Sequence, residues 1–340
     1  MSVTAMARVR RPSVRRSRRT IVIGVTAVVA VLLALVALSI GDYPLSIPEV
    51  IAALFRNEGF ATTVVVEWRL PRALAALAFG GALGTSGALF QSLTRNPLGS
   101  PDVIGFSAGS YTGVLLAMTL FPGSQLGIGG WALGAGLATA FAVYLLAYRR
   151  GVQGFRLIIV GIGVSAMLNA FNLWLQLRAQ VNVAMTASVW AAGSLDVIDW
   201  QQLRPALVAL TVCAVATCLV AGRLQQLELG DDAAAAHGLR VEPTRLGILV
   251  LGVALTAIVT AVAGPIAFVA LVAPQLAKRM VGGAGLPLGQ SALVGAVLLL
   301  AADQIAQHAL PQAVPVGVVT IVLGGCYLVV LLLRGTGARR

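Results

Sequence analysis

Few side chains in this sequence could carry chemistry, and their placement excludes most reactions. His237 and His308 each stand alone. Cys213, Cys218 and Cys326 lie inside apolar stretches and share no metal-ligand spacing, so they read as small buried packing residues. Asp303, Asp102 and Glu67 fall near the ends of apolar runs rather than in their middles. A proton- or sodium-coupled carrier is expected to place carboxylates deeper, because a charge at mid-membrane costs about 2.5–3.5 kcal/mol and marks an ion path. The run Gly161-Ile162-Gly163-Val164-Ser165-Ala166 approximates a dinucleotide fingerprint, yet no strand precedes it and no acidic residue follows at the needed distance. The sequence holds no Walker motif, no Ser-His-Asp set and no cluster of metal-ligating residues. Such a chain binds or passes something, with any energy source elsewhere.

Two charged segments suit protein partners better than substrates. Glu67-Trp68-Arg69-Leu70-Pro71-Arg72 reads as a loop opening the second apolar run, with Pro at an early helical position. Its two arginines either anchor the helix at the interface or receive an acidic partner. The second segment, Asp231-Asp232-Ala233-Ala234-Ala235-Ala236-His237-Gly238, reads as a short complete helix. Acidic residues sit at its start, His lies in its last turn and Gly stops it. It either covers the helix bundle or acts as a lever gripped by a partner.

The elements that must position these segments are membrane spans. Of 340 residues, 58% are hydrophobic and 11% charged, far from the roughly quarter charged share of a soluble domain. That excludes a cytosolic enzyme, a disordered chain and a disulfide scaffold together. Apolar runs fall at 21–40, 70–92, 104–121, 127–148, 156–177, 203–222, 245–263, 266–280, 287–306 and 316–333. The first follows a basic arm, residues 1–19, and exceeds a signal-peptide core in length; Ser17-Arg18-Arg19 hints at a twin-arginine signal, but a retained helix fits better. Ten spans predict an all-α polytopic membrane protein with both termini on one side, a transmembrane domain over 20–335 and a short tail, 336–340. Taking the N-terminus as cytoplasmic, 19 of the 24 basic residues fall inside and five outside, as the positive-inside rule expects. The net charge of +12 is thereby topological rather than a nucleic-acid footprint. The longest inner loop, 223–245, carries the short helix. Gly80 and Gly84 in the second run, and Gly105, Gly109 and Gly113 in the third, predict faces where helix backbones approach closely.

Taken in order, several stretches resemble one family. They are Arg69-Leu70-Pro71-Arg72, Gly80 to Gly87, Gln91, Asn96-Pro97-Leu98-Gly99-Ser100-Pro101-Asp102 to Gly105, and Trp190 to Leu195. Leu229-Gly230-Asp231 through Gly238, Gly264-Pro265-Ile266 to Pro274, Leu299 to Asp303 and Pro315 to Gly317 continue the series. Over about residues 40–335 the chain resembles the FecCD-type permeases of iron-siderophore, haem and vitamin B12 ABC importers. The resemblance implies a ten-helix, type II importer permease fold with no catalytic site, metal or cofactor of its own. It implies a second permease subunit, identical or related, and two cytoplasmic ATPases holding ATP and Mg. It also implies an extracytoplasmic binding protein and a cargo that is most commonly a ferric siderophore, with haem and cobalamin as alternatives. By the same resemblance Arg69 and Arg72 receive acidic residues of the binding protein. The segment Gly230, Asp231, Asp232, Ala233 to His237, Gly238 and Leu239 docks on the ATPase. Two positions depart from the family pattern: Gln275 replaces a His after Pro274, and Gln307 replaces an Arg four residues after Asp303. The second departure predicts asymmetric docking beside a permease that retains the Arg.

Overall fold

In hydrocarbon every backbone N–H and C=O must be satisfied within the segment, so apolar runs fold as helices. The computed structural model describes residues 12–56, 59–122, 124, 127–148, 154–282 and 285–337. Arg8, Arg10, Arg11, Arg149, Arg150, Arg339 and Arg340, with most of the basic arm and the end of the tail, lie outside the described residues. Every regular element among the described residues is helical. The order is α1 (Pro12–Ser39), α2 (Ile47–Arg56), α3 (Gly59–Thr62), a π-helical segment (Thr63–Arg69), α4 (Leu70–Thr94) and a 3-10 turn (Pro101–Ile104). There follow α5 (Phe106–Leu120), α6 (Gly127–Ala147), α7 (Gly154–Arg178), α8 (Val181–Ala191) and α9 (Trp200–Glu228). The last five are α10 (Asp231–Ala236), α11 (Val241–Ala263), α12 (Val269–Val281), α13 (Leu288–His308) and α14 (Val316–Gly337).

Each apolar run lies on a helix, but the helices are unequal. Among the described residues seven are long and apolar enough to cross a membrane, where the sequence pattern reads ten spans. The run at 104–121 begins in the 3-10 turn and leaves α5 only 15 residues. The run at 266–280 begins in the irregular stretch Gly264–Phe268 and leaves α12 only 13. In α14 the apolar part is Val316–Val330. Non-helical backbone at such depth is tolerated where protein rather than lipid surrounds it. Here it is paired: Ser194 N–H donates to Ala263 O at 2.8 Å, and Gly317 N–H donates to Gly193 O at 3.1 Å. Three family-like stretches, 190–195, 264–268 and 315–317, thus meet at one junction.

A second difference concerns Glu67–Arg72, read from sequence as a loop. It is helical, and the Gly59–Thr94 helix runs unbroken for 36 residues. Pro71 lacks an N–H and its ring crowds the carbonyl four residues back, so the turn before it widens to π register.

Burial separates a central helix from its surroundings. In the most apolar window of the Gly59–Thr94 helix 72% is buried, against 17% in α7 and in α9. The outer face of α7 leaves Phe155, Ile159, Ile162, Met167, Leu173, Trp174 and Leu177 exposed, a surface suited to lipid or to another apolar subunit. α4 packs against α13, α11, α12 and α9. Its contact with α13 is backbone to backbone. A β-carbon at Gly80 would collide with the Gly295 carbonyl, and one at Gly84 with the Ser291 carbonyl. On α5, Gly113 faces the Trp131 carbonyl of α6 in the same way, and Gly109 makes room for the Thr139 side chain. Gly105 differs from its two companions: it precedes α5, adopts φ 83° and turns the chain out of the 3-10 segment.

This packing makes Gly84→Ala a sharp test. The added methyl forces α4 from α13 and should cost about 1–3 kcal/mol, read as a lowered melting temperature in detergent. Gly134→Ala, at a position with open space around it, should leave melting unchanged or raise it.

Candidate functional site

α4 carries a charged cluster at each end. From Arg72 to Arg95 its axis covers about 35 Å at 1.5 Å per residue, enough for the roughly 30 Å hydrocarbon core.

At the first end, the antiparallel register set by the glycines continues outward. Gly84 faces Ser291 and Gly80 faces Gly295, so four residues along α4 match four back along α13. Eight more on each helix bring Arg72 to Asp303. Arg72 Nη2 lies 2.7 Å from Asp303 Oδ1 and Nε 3.0 Å from Oδ2, a forked pair, while Nη1 reaches Asp196 Oδ1 at 2.7 Å. The Asp303 side chain is 1% exposed and that of Asp196 44%. Asp196 also accepts from Gln307 Nε2 at 2.8 Å and from the Ser194 hydroxyl at 2.6 Å. Gln307 therefore occupies its position as a ligand of Asp196. A buried carboxylate like Asp303 persists as a charge only while paired, so removing Arg72 would strand it.

Arg69 is engaged differently. Its guanidinium donates to Leu38 O and Tyr43 O, each at 2.8 Å, and pins the loop after α1 without forming an ion pair with a carboxylate among the described residues. Tyr43, Phe60 and Trp68 stack edge to face beside it, with centroids 5.5 and 5.9 Å apart. These groups line a recess of about 740 Å³ in which Arg69 and Arg72 meet Asp42, Asp196 and Asp303. The sequence marked both arginines, and Asp303 as a charge at the end of a span that closes a family-like stretch, but not Asp196. The single local hint was the i,i+4 spacing of Asp303 and Gln307 on one helix face.

At the opposite end, the loop helix α10 is held by three elements. Arg95 and Arg245 both grip Asp231, at 2.8 and 2.9 Å. Arg95 also donates to Leu227 O at 3.1 Å, and the Ser92 hydroxyl donates to Glu228 at 2.8 Å. Arg245 pairs in addition with Glu242 at 3.2 Å. Burial works to raise the Asp231 carboxyl, but hydrogen bonds and charge from Arg245, then Arg95, outweigh it and hold the group below the usual carboxylate range. Ala234 is buried and seats the helix, while Asp232, Ala235, Ala236, His237 and Gly238 stand exposed and Ala233 and Leu239 half-buried. The expected capping by acidic residues is thus partly replaced: Gly230 occupies the N-cap with no side-chain bond, and Asp231 turns toward arginines of α4 and α11.

Between the ends only small polar ties cross α4. The Ser86 hydroxyl donates to Gly252 O at 2.7 Å, and Gln91 donates to Leu271 O at 2.9 Å while accepting from Gln275. Gln275 thus joins α12 to α4. Among the described residues no group of three His, Cys, Asp or Glu side chains is arranged to hold a metal ion.

Comparison with known proteins supplies the family. A model of the FecCD transport family matches residues 28–334. The chain is 51% identical over 296 residues to the ferric enterobactin transport system permease protein FepG of Escherichia coli (strain K12), covering 86% of this chain and 90% of that one. It is 34% identical over 332 residues to the iron(3+)-hydroxamate import system permease protein FhuG of Bacillus subtilis (strain 168), covering 94% and 98%. A solved structure of a metal-chelate type ABC transporter in an inward-facing conformation superposes with TM-score 0.81 at 28% identity, covering 93% of this chain and 99% of the other. A multi-pass membrane helix bundle with a match across most of its length, this chain belongs to the FecCD transport family.

Proposed function

We propose that the chain is a permease subunit of an ABC importer that carries a ferric siderophore across the cytoplasmic membrane. The observation that carries this reading is the 51% identity to a ferric enterobactin permease over nearly the whole of both chains. In this reading all ten apolar runs traverse the membrane, with both termini cytoplasmic. A second permease subunit completes the pathway, and two ATPases supply ATP and Mg at the cytoplasmic face. The Arg72 end faces outward, toward a binding protein, and the Arg95 end faces the ATPases. The charge asymmetry of the sequence supports that orientation.

In this reading Arg69 and Arg72 receive the binding protein in different ways. Asp303 is buried against Arg72, whereas Asp196 is exposed and shares the same guanidinium. An acidic side chain of the binding protein would compete with Asp196 for Arg72, and would meet Arg69 at the rim beside it. Gln307 adds no positive charge to this recess, in keeping with docking that leans on a partner permease bearing the Arg.

At the other end, the exposed side of α10 offers Asp232, Ala235, Ala236 and His237 to a cleft on the ATPase. Its small side chains allow close approach of a partner surface. ATP-driven closure then displaces α10 and rocks the bundles about the pathway between subunits.

Uptake by a strain lacking its native permease, complemented with this chain and its ATPase and binding protein, should be tested with labelled ferric enterobactin, ferric hydroxamate, haem and cobalamin. Accumulation of a ferric siderophore that stops without ATP hydrolysis is expected. Uptake of haem or cobalamin alone would reassign the cargo, and uptake that survives removal of the ATPase would overturn the importer reading.

Charge reversal tests docking, with melting temperature read alongside because Arg69 also pins the loop after α1. Arg69→Glu should weaken binding-protein affinity about tenfold at low salt, with the loss shrinking as salt rises. Arg72→Glu should in addition lower the melting temperature, because it strands Asp303. Wild-type affinity of Arg69→Glu at low salt would count against the docking role.

A further inference from the structure

The loop helix α10 is flanked by glycines in conformations that ordinary residues avoid, Gly230 at φ 115° and Gly238 at φ 82°. A six-residue helix between two such joints would swivel under load and pass little displacement to the bundle. The ties at its start prevent that.

Arg95 is central to them. It ends α4 in the left-handed conformation, φ 50° and ψ 32°, a place usually taken by Gly or Asn. For a residue with a β-carbon this costs about 1–2 kcal/mol and persists only where the surroundings enforce it. The conformation directs the guanidinium across to the end of α9 and the start of α10, where it holds Leu227 O and Asp231 together. Ser92, one turn earlier on α4, holds Glu228. Arg245 closes the clamp from α11. α7 joins at the same place: a β-carbon at Gly154 would collide with the Thr94 backbone, so the first turn of α7 rests on the last turn of α4.

We propose that Arg95 is a positioning residue that locks α10 to α4, so that a push on α10 by a cytoplasmic partner moves α4 and α7 rather than flexing the glycine joints. Asp231, though partly exposed, is engaged by Arg95 and Arg245, and partner contact falls to Asp232, Ala235, Ala236 and His237. The inference rests on the reading of α10 as the ATPase contact.

The test uses the complete importer, reconstituted in liposomes with its second permease, ATPases and binding protein. Two quantities are measured: ferric siderophore taken up per ATP hydrolysed, and disulfide crosslinking of Ala235→Cys to a cysteine placed in the ATPase cleft. In Arg95→Gln the crosslink should form as in the parent while uptake per ATP falls about fivefold or more, the lower end of a typical coupling free energy. Arg95→Lys, which keeps a cation with donors enough for both acceptors but has a different reach from the planar guanidinium, should recover part of that loss. Normal uptake per ATP in Arg95→Gln with the crosslink intact would overturn the proposal and leave the importer reading standing. Absence of the crosslink in the parent would overturn the reading of α10, and the proposal with it. Should Arg95→Gln fail to assemble, Ser92→Ala replaces it: a smaller loss of coupling supports the clamp, and parental coupling overturns it.

Discussion

The backbone contact between α4 and α13 is the constraint on which the rest depends. Lipid offers no hydrophobic drive for helix association, so stability comes from close dispersion contact, and glycine permits the closest. Gly80, Gly84 and Gly295 bring carbonyls of one helix against α-carbons of the other. That contact leaves little freedom of register. Because it is antiparallel and holds its step over three turns, it delivers Arg72 to Asp303, a pairing that neither segment signals by itself. The ion pair is a consequence of the glycines as much as of its own charges.

The same helix then joins two regions that face different surroundings. At one end a forked pair is shared with an exposed aspartate; at the other a left-handed arginine bridges to a loop helix. At the first tip a buried carboxylate, Asp303, shares its arginine with an accessible one, Asp196. The buried member fixes geometry, since breaking it would leave a charge without solvent or partner. The accessible member is cheap to exchange, because a solvent-exposed pair is worth about 1 kcal/mol or less. At the other tip Arg95 and Arg245 hold Asp231 together, and Arg245 also pairs with Glu242, so that contact is shared among several charges.

The polar groups between the tips serve a different end. Ser86, Gln91 and Gln275 satisfy one another or backbone carbonyls and bind α4 to α11 and α12. None is charged. Their chemistry is that of packing.

How much of this was legible beforehand depends on the range of the interaction. Composition and the spacing of apolar runs sufficed for the helical membrane class, since it follows from transfer between water and hydrocarbon, residue by residue. The short loop helix was legible too, because Asp231 to Gly238 is a local signal. Tertiary structure alone decided the rest. The π turn before Pro71 turned an apparent loop into helix, and irregular stretches at 101–105 and 264–268 shortened two helices that periodicity drew at full length. Arg72 and Asp303 lie 231 positions apart, Arg95 and Asp231 136. No spacing rule reaches that far. Sequence fixes which charges exist and which side of the membrane they favour; only the register of packed helices determines which of them meet, because that register is set by contact between surfaces that neither segment carries alone.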